Sequence, residues 1–154
     1  MNRVLPAIAI FIYMMFFTNA SSAKFNAETF APEESLEISF TNNTPYDCIA
    51  AAHLKRGLWH TKPPKRLKKY SVTSWVVRQT HCYGPDLTAT FNCGGYSFST
   101  RNQQNFSGFE GGDQTLSTSD VDKHLKVINK QVQHASRGKE KPGVAEIIVS
   151  SKGG

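Results

Sequence analysis

The feature that most constrains the fold is a series of short segments in which apolar and polar residues alternate. Residues 36–40 and 87–93 show this alternation, which is typical of strands with one buried face. Gly, Pro and Asn fall between the segments, as at residues 42–45 and 84–86, and these residue types favour turns. The pattern predicts a mainly β protein, an antiparallel β-sandwich of six to eight short strands in residues 36–154.

Two hairpins are expected from neighbouring segments. Residues 36–40 and 46–54 flank an Asn-Asn-Thr-Pro turn, and residues 87–93 and 96–99 flank a Gly-Gly turn. Alternating segments joined by such turns are typical of antiparallel pairs. Residues 70–78 are a further strand, because their β-branched and aromatic content is high.

One segment, residues 118–133, fits two structures. Val121, Leu125 and Ile128 recur at helical spacing, and a serine and two aspartates at the start would suit a helix N-terminus. The high β-branched content also fits a strand. We expect a short helix at residues 120–129.

The N-terminal 23 residues have the pattern of a secretory signal peptide. A polar, positive start that includes Arg3 precedes an apolar run at residues 4–17, and small residues then lead to a cleavage site before Lys24. The apolar run is shorter than the roughly 20 residues that a membrane-spanning helix needs. We therefore predict an extracellular protein, with residues 24–35 as an N-terminal arm.

Three cysteines, Cys48, Cys82 and Cys93, lie in the predicted mature chain. In an oxidising compartment two of them are expected to form a disulfide, but the sequence does not decide which two. No Cys-x-x-Cys motif occurs, so a zinc or redox site has little support. No metal or cofactor is expected.

Two Asn-x-Ser/Thr triplets begin at Asn42 and Asn105. Such triplets accept N-linked glycans in secreted proteins. In a eukaryotic source, glycans on both would place these two loops at the surface.

Residues 53–84 carry the strongest sign of function, because their charge is one-sided. Eight of these residues are Lys or Arg, and no acidic residue occurs between Asp47 and Asp86. Two prolines within residues 61–66 favour an exposed connection, so the charge must be met by solvent or by a partner. The predicted anionic-surface site comprises Lys55, Arg56, Trp59, Lys62, Lys65, Arg66, Lys68, Lys69 and Tyr70.

Membrane lipid headgroups are the partner that this site favours. Each Lys or Arg near an anionic membrane contributes about 1 kcal/mol, and Trp59 and Tyr70 supply rings for shallow insertion. An acidic polysaccharide or a host protein would use the same charge, as expected of a secreted effector, and single-stranded nucleic acid is a less favoured partner. A solvated loop that only maintains solubility accounts for the same composition.

Three histidines in this segment, His53, His60 and His81, leave an enzymatic alternative open. Two imidazoles and a lysine can cleave RNA by acid–base catalysis, so a small secreted ribonuclease is the main alternative. The chain has no nucleophile elbow, metal-binding helix motif or phosphate-binding Gly loop. A non-enzymatic binding protein is therefore expected.

The order of residues 38–44, then Gly57-Leu58-Trp59, then a Trp-bearing strand resembles the front of aegerolysin and actinoporin-like β-sandwich proteins. Residues 142–149 resemble the final strand of such proteins. The resemblance implies a small secreted sandwich that binds membrane lipids and is cytolysin-like. This chain lacks the Trp- and Tyr-rich headgroup cluster of those families, so no lipid-site residue carries over.

Overall fold

The computed structural model describes residues 35–80, 84–105, 112–136 and 141–153, which form two five-stranded β-sheets packed face to face. The first sheet contains β1 (Ser35–Asn43), β3 (Leu58–Thr61), β5 (Ser71–Arg78), β9 (Leu125–Gln133) and β10 (Gly143–Ser151). The second sheet contains β2 (Cys48–Arg56), β4 (Arg66–Leu67), β6 (Asp86–Cys93), β7 (Tyr96–Gln104) and β8 (Gln114–Ser119). These residues include no helix long and apolar enough to cross a membrane.

The strand order is β3-β5-β1-β10-β9 in the first sheet and β4-β2-β6-β7-β8 in the second. All neighbouring strands are antiparallel except β1 and β10, which run parallel. The mainly β sandwich predicted from the sequence is confirmed. Ten strands occur in the described ranges, more than the six to eight expected, because β3 and β4 are too short to show alternation and because residues 125–133 form a strand where a helix was expected.

The core lies between the two sheets and is built around aromatic rings. Phe40 of the first sheet stacks on Phe91 of the second at a centroid distance of 4.8 Å, and Phe98 stacks on Phe91 at 4.8 Å. Trp75 is fully buried and lies 6.2 Å from the Phe40 ring. These contacts fix the sheets face to face, so the outer faces, the edges and the end loops of the sandwich are the surfaces left for function.

The first predicted hairpin is wrong, whereas the second is confirmed. β1 pairs with β5 and β10, and β2 pairs with β4 and β6, so residues 44–47 carry the chain from one sheet to the other. The crossing is shaped by Asn42, whose Oδ1 accepts hydrogen bonds from the Thr44 amide (3.0 Å) and hydroxyl (2.7 Å). β6 and β7 do form a hairpin, with Cys93 opposite Tyr96.

The helix expected at residues 120–129 is also wrong. Residues 125–133 form β9, which pairs with β10 and buries Leu125. The local helical spacing is overridden because pairing with β10 satisfies the backbone and suits the β-branched residues. Asp120, the first residue of the expected helix, has a φ of 53°, which lies outside the right-handed helical region.

A disulfide joins Cys48 of β2 to Cys93 of β6, directly opposite each other, and both residues are fully buried. A buried disulfide is compatible with an extracellular protein. The signal-peptide prediction, nearly all of the predicted arm, Cys82 and His81 lie outside the described residues.

Candidate functional site

The nine residues of the predicted anionic-surface site are divided among separate regions of the surface. Three form the turn between β4 and β5, which we call the β4–β5 tip: Lys68, Lys69 and Tyr70. Three line an opening between β2 and the β3–β4 connection, which we call the side groove: Trp59, Lys62 and Lys65. Lys55 and Arg56 lie at the far end of β2. Arg66 pairs with Asp47 at 3.6 Å.

The backbone of the β4–β5 tip is fixed by hydrogen bonds from both sides. The Lys68 carbonyl accepts hydrogen bonds from Asn42 Nδ2 at 3.1 Å and from Ser71 Oγ at 2.6 Å. The Lys69 amide donates to Asp47 Oδ1 at 2.9 Å. The tip is therefore a preformed turn whose side chains are held outward.

In the turn fixed by these hydrogen bonds, Tyr70 adopts a left-handed backbone conformation. Its φ is 51°, and 68% of the residue is exposed. The left-handed region is rare for a bulky residue with a Cβ atom, and it costs roughly 1–2 kcal/mol. Backbone strain of this kind occurs often at functional sites, and at Tyr70 it coincides with a mostly exposed aromatic ring.

The charge of the tip is left unbalanced. Lys68 and Lys69 are exposed, and neither has an ion-pair partner within residues 35–80, 84–105, 112–136 and 141–153. The nearby carboxylate of Asp47 is already engaged by Arg66 and by the Lys69 amide. Two cations therefore directly precede Tyr70 in the turn, and neither forms an ion pair with a described residue.

Tyr46 joins this surface, although the sequence pattern assigned it only to a strand. It is 40% exposed, and its carbonyl accepts a hydrogen bond from Asn42 Nδ2 at 2.8 Å, the same group that binds the Lys68 carbonyl. One buried amide thus ties the Tyr46 loop to the tip. The Tyr46 ring meets Tyr96 at 6.0 Å, and Tyr96 meets His124 at 4.8 Å, so an aromatic row runs across this end of the sandwich.

At the end of the row, His124 is held by Asp122. Asp122 Oδ1 accepts a hydrogen bond from the His124 amide at 2.9 Å and contacts its Nδ1 at 2.8 Å. The hydrogen bond from the His124 amide is the main reason that the pKa of Asp122 is lowered. Asp122 therefore stays ionised and orients the imidazole beside Tyr96.

The same contacts bear on the Asn42 glycosylation prediction. Asn42 is fully buried, and its Nδ2 donates two hydrogen bonds. An N-linked glycan replaces one of the two hydrogens on that nitrogen, so it would break at least one of these bonds at a fully buried side chain, which disfavours a glycan at Asn42 in the folded protein. Asn105 is partly buried and donates to Thr115 Oγ1 at 2.7 Å, and the rest of its triplet lies outside the described residues, so that site stays a prediction.

The side groove has a volume of about 420 Å³ and combines apolar walls with a basic rim. Its lining consists of Ile49, Ala50, Ala51, Ala52, Trp59, Lys62, Pro63 and Lys65. Three consecutive alanines leave space that larger side chains would fill. Trp59 is partly buried against the core, whereas Lys62 and Lys65 are exposed.

Arg56, which was predicted as part of the anionic-surface site, also takes part in an ion pair within the fold. Its guanidinium lies 3.6 Å from Asp86, whose side chain is only 1% exposed and is bound bidentately by Arg101 at 3.0 and 2.8 Å. The hydrogen bond from Arg101 is the main cause of the lowered pKa of Asp86. Arg56 therefore helps to neutralise a buried carboxylate that links β2, β6 and β7.

Two of the three histidines of the enzymatic alternative lie on strands of different sheets. His53 is exposed on β2, and His60 is exposed on β3, an edge strand of the other sheet. His81 lies outside the described residues. Among the residues that are described, no group of three His, Cys, Asp or Glu side chains could hold a metal ion.

Comparison with known proteins shows the fold of this chain. No family model and no curated protein matches the sequence. The lipid binding protein Nakanori is similar in structure, with a TM-score of 0.59 and 9% identity over 75% of this chain and 70% of that chain. IP-1A from Alcaligenes faecalis has a TM-score of 0.55 and 17% identity over 80% of this chain and 94% of its own. RahU protein, solved in complex with a TRIS molecule, has a TM-score of 0.58 and 12% identity over 80% of this chain and 99% of its own.

Proposed function

We propose that this protein is a secreted, non-enzymatic protein that binds anionic lipid headgroups at a membrane surface through the β4–β5 tip. The observation that carries the proposal is the tip itself: Lys68 and Lys69 have no acidic partner among the described residues, and Tyr70 is held in solvent between fixed hydrogen bonds. A preformed turn loses little conformational entropy on binding.

Binding begins with charge and ends with aromatic contact. Each lysine near an anionic surface contributes about 1 kcal/mol, so Lys68 and Lys69 together contribute about 2 kcal/mol. The rings of Tyr70 and Tyr46 then enter the headgroup region, where an amphipathic ring keeps its hydroxyl hydrated. The attraction weakens as salt screens the charges.

The comparisons support this proposal at the level of fold. A sandwich of the same architecture is described as a lipid binding protein. One fold carries many functions, so the argument for this chain depends on the tip and not on the likeness. Cytolysin-like activity would be a later step, and release of an entrapped dye from vesicles would detect it.

Vesicle sedimentation tests the proposal. We compare vesicles of phosphatidylcholine alone with vesicles that also contain phosphatidylserine. We expect the wild-type protein to prefer the anionic vesicles, and Lys68→Glu/Lys69→Glu to weaken that binding by about 30-fold or more, from the loss of two attractive charges. Lys126→Glu/Lys141→Glu is the matched control, because both lysines are exposed and the net-charge change is equal.

Equal weakening by both double variants, or no preference for anionic vesicles, would reject the tip as a lipid site. Retention on a heparin column that depends on Lys68 and Lys69, without any vesicle binding, would point instead to an acidic polysaccharide. Labelled RNA incubated with the wild-type protein should remain intact, and its cleavage would support the nuclease alternative.

A further inference from the structure

We infer that the side groove binds an extended acidic peptide, which pairs with the open edge of β2. This inference goes beyond the proposed function, because it uses a different surface and a different class of partner. The evidence comes from the pairing of β2, the direction of its backbone groups, the prolines beside it and the charge of the groove.

The outer edge of β2 is covered only where the strand begins. β4 has two residues, and they pair with Cys48 and Ile49. The next contact is a hydrogen bond from the Ala50 amide to the Lys65 carbonyl at 3.0 Å. From there to Arg56, no strand of the described chain pairs with this edge.

The backbone groups of alternate residues point toward that open edge. Cys48 and Cys93 are directly opposite with a Cα–Cα distance of 4.1 Å, as in a non-hydrogen-bonded antiparallel pair. The N–H and C=O of Cys48 therefore point away from β6, and the hydrogen bond from Ala50 to Lys65 confirms this direction. Because the direction alternates along a strand, Ala52 and Leu54 present their N–H and C=O groups to the same side.

Prolines explain why the β3–β4 connection does not cover this edge. Pro63 and Pro64 have no N–H to donate, so the connection cannot extend β4 along β2. The space that remains in front of Ala50, Ala51 and Ala52 is the side groove. An extended segment placed there would meet small side chains and the backbone groups of Ala52 and Leu54, which pair with no other described strand on this side, as in β-strand addition.

The charge of the groove selects the partner. Lys62 and Lys65 are exposed on its rim and have no ion-pair partner among the residues whose positions are described. The acidic residues nearest in sequence, Asp47 and Asp86, are already bound by arginines. A peptide that alternates acidic and small apolar residues would place carboxylates near the lysines and apolar side chains near Trp59.

Fluorescence anisotropy of a labelled peptide that alternates Glu and Val tests this inference. Its matched control carries N-methyl groups on alternate amides, which removes the donors that face β2 and leaves the protein unchanged. We expect saturable binding of the first peptide and binding of the control weaker by about 10-fold or more, since each lost hydrogen bond is worth about 1 kcal/mol. Tryptophan fluorescence should also change on binding, because Trp59 lines the groove. The change can be assigned to Trp59, since Trp75 is fully buried in the core.

Variants of the protein separate this inference from the lipid proposal. Lys62→Glu/Lys65→Glu should weaken peptide binding by about 10-fold or more, whereas Lys68→Glu/Lys69→Glu should leave it unchanged while reducing vesicle binding. Absence of saturable binding, or equal affinity for both peptides, would show that the lysines only protect an exposed edge from pairing. Displacement of the peptide by phosphatidylserine vesicles would show that the groove is a lipid site, and would also overturn the inference.

Discussion

Tyr70 offers a test in which stability and membrane binding change separately. Its φ of 51° is unfavourable for any residue with a Cβ atom, and its ring is mostly exposed. Tyr70→Ala and Tyr70→Gly both remove the ring, but only glycine also relieves the backbone. The difference in stability between these two variants therefore isolates the cost of the left-handed conformation.

The sign of that difference follows from two opposing quantities. The left-handed conformation costs a residue with a Cβ atom roughly 1–2 kcal/mol, and glycine avoids this cost. Glycine loses more chain entropy on folding, which destabilises it by roughly 0.5–1 kcal/mol relative to alanine. We expect Tyr70→Gly to be more stable than Tyr70→Ala by about 0.5–1 kcal/mol, or about 2–4 °C in Tm.

Thermal unfolding and vesicle sedimentation of the same variants provide the measurements. Both variants should bind phosphatidylserine vesicles more weakly than the wild-type protein and equally to each other, since both lack the ring. Val72 is 66% exposed on β5 and provides a control position with ordinary strand conformation. There Val72→Ala should be more stable than Val72→Gly, because glycine loses more chain entropy on folding.

Asp120 supplies a second control, because its φ of 53° matches that of Tyr70. Asp120→Gly should be more stable than Asp120→Ala, and vesicle binding should not fall in either variant. Two results would refute the reasoning. One is a Tyr70→Ala variant that is more stable than Tyr70→Gly, and the other is a Tyr70 variant that binds vesicles as strongly as the wild-type protein.

Two further predictions concern contacts that hold the second sheet. Reduction of the Cys48–Cys93 disulfide, whose cysteines are separated by 45 positions, should destabilise the protein by about 4 kcal/mol in the chain-entropy treatment, measured by denaturant unfolding with and without reductant. Asp86→Asn should cost about 2 kcal/mol at neutral pH. Because the Arg101 hydrogen bond lowers the pKa of Asp86, the carboxylate stabilises the fold above about pH 4. This stabilisation is lost as the pH falls through the lowered pKa, so the difference from wild type should shrink in acid, and a constant difference would contradict the assignment.

Strands with clear alternation, such as β1 and β6, could be predicted from the sequence, because alternation is a local property of a half-buried segment. The choice of sheet could not, because it depends on residues far apart in the chain. β1 and β2 have suitable patterns and a suitable turn between them, yet Asn42 directs the chain into the other sheet. The strand at residues 125–133 likewise depends on β10, which follows it in the chain.

The candidate site, like the fold, could be predicted from the sequence only in part. The one-sided charge of residues 53–84 was visible in the sequence, but the partner of each cation was not. Arg56 meets Asp86 only after β2 and β6 pair, and Tyr46 meets the tip only through the buried Asn42 amide. Sequence separation hides both contacts, and no local pattern indicates either.

The location of each charged side chain therefore says more about its binding partner than the net charge of the protein does. Pro63 and Pro64 keep Lys62 and Lys65 beside the open edge of β2, whereas Asn42 and Asp47 fix Lys68 and Lys69 at the tip. If only net charge mattered, reversing either lysine pair would affect vesicles and peptides alike. Because the fold holds the two pairs on different surfaces, each reversal should weaken one kind of binding and spare the other.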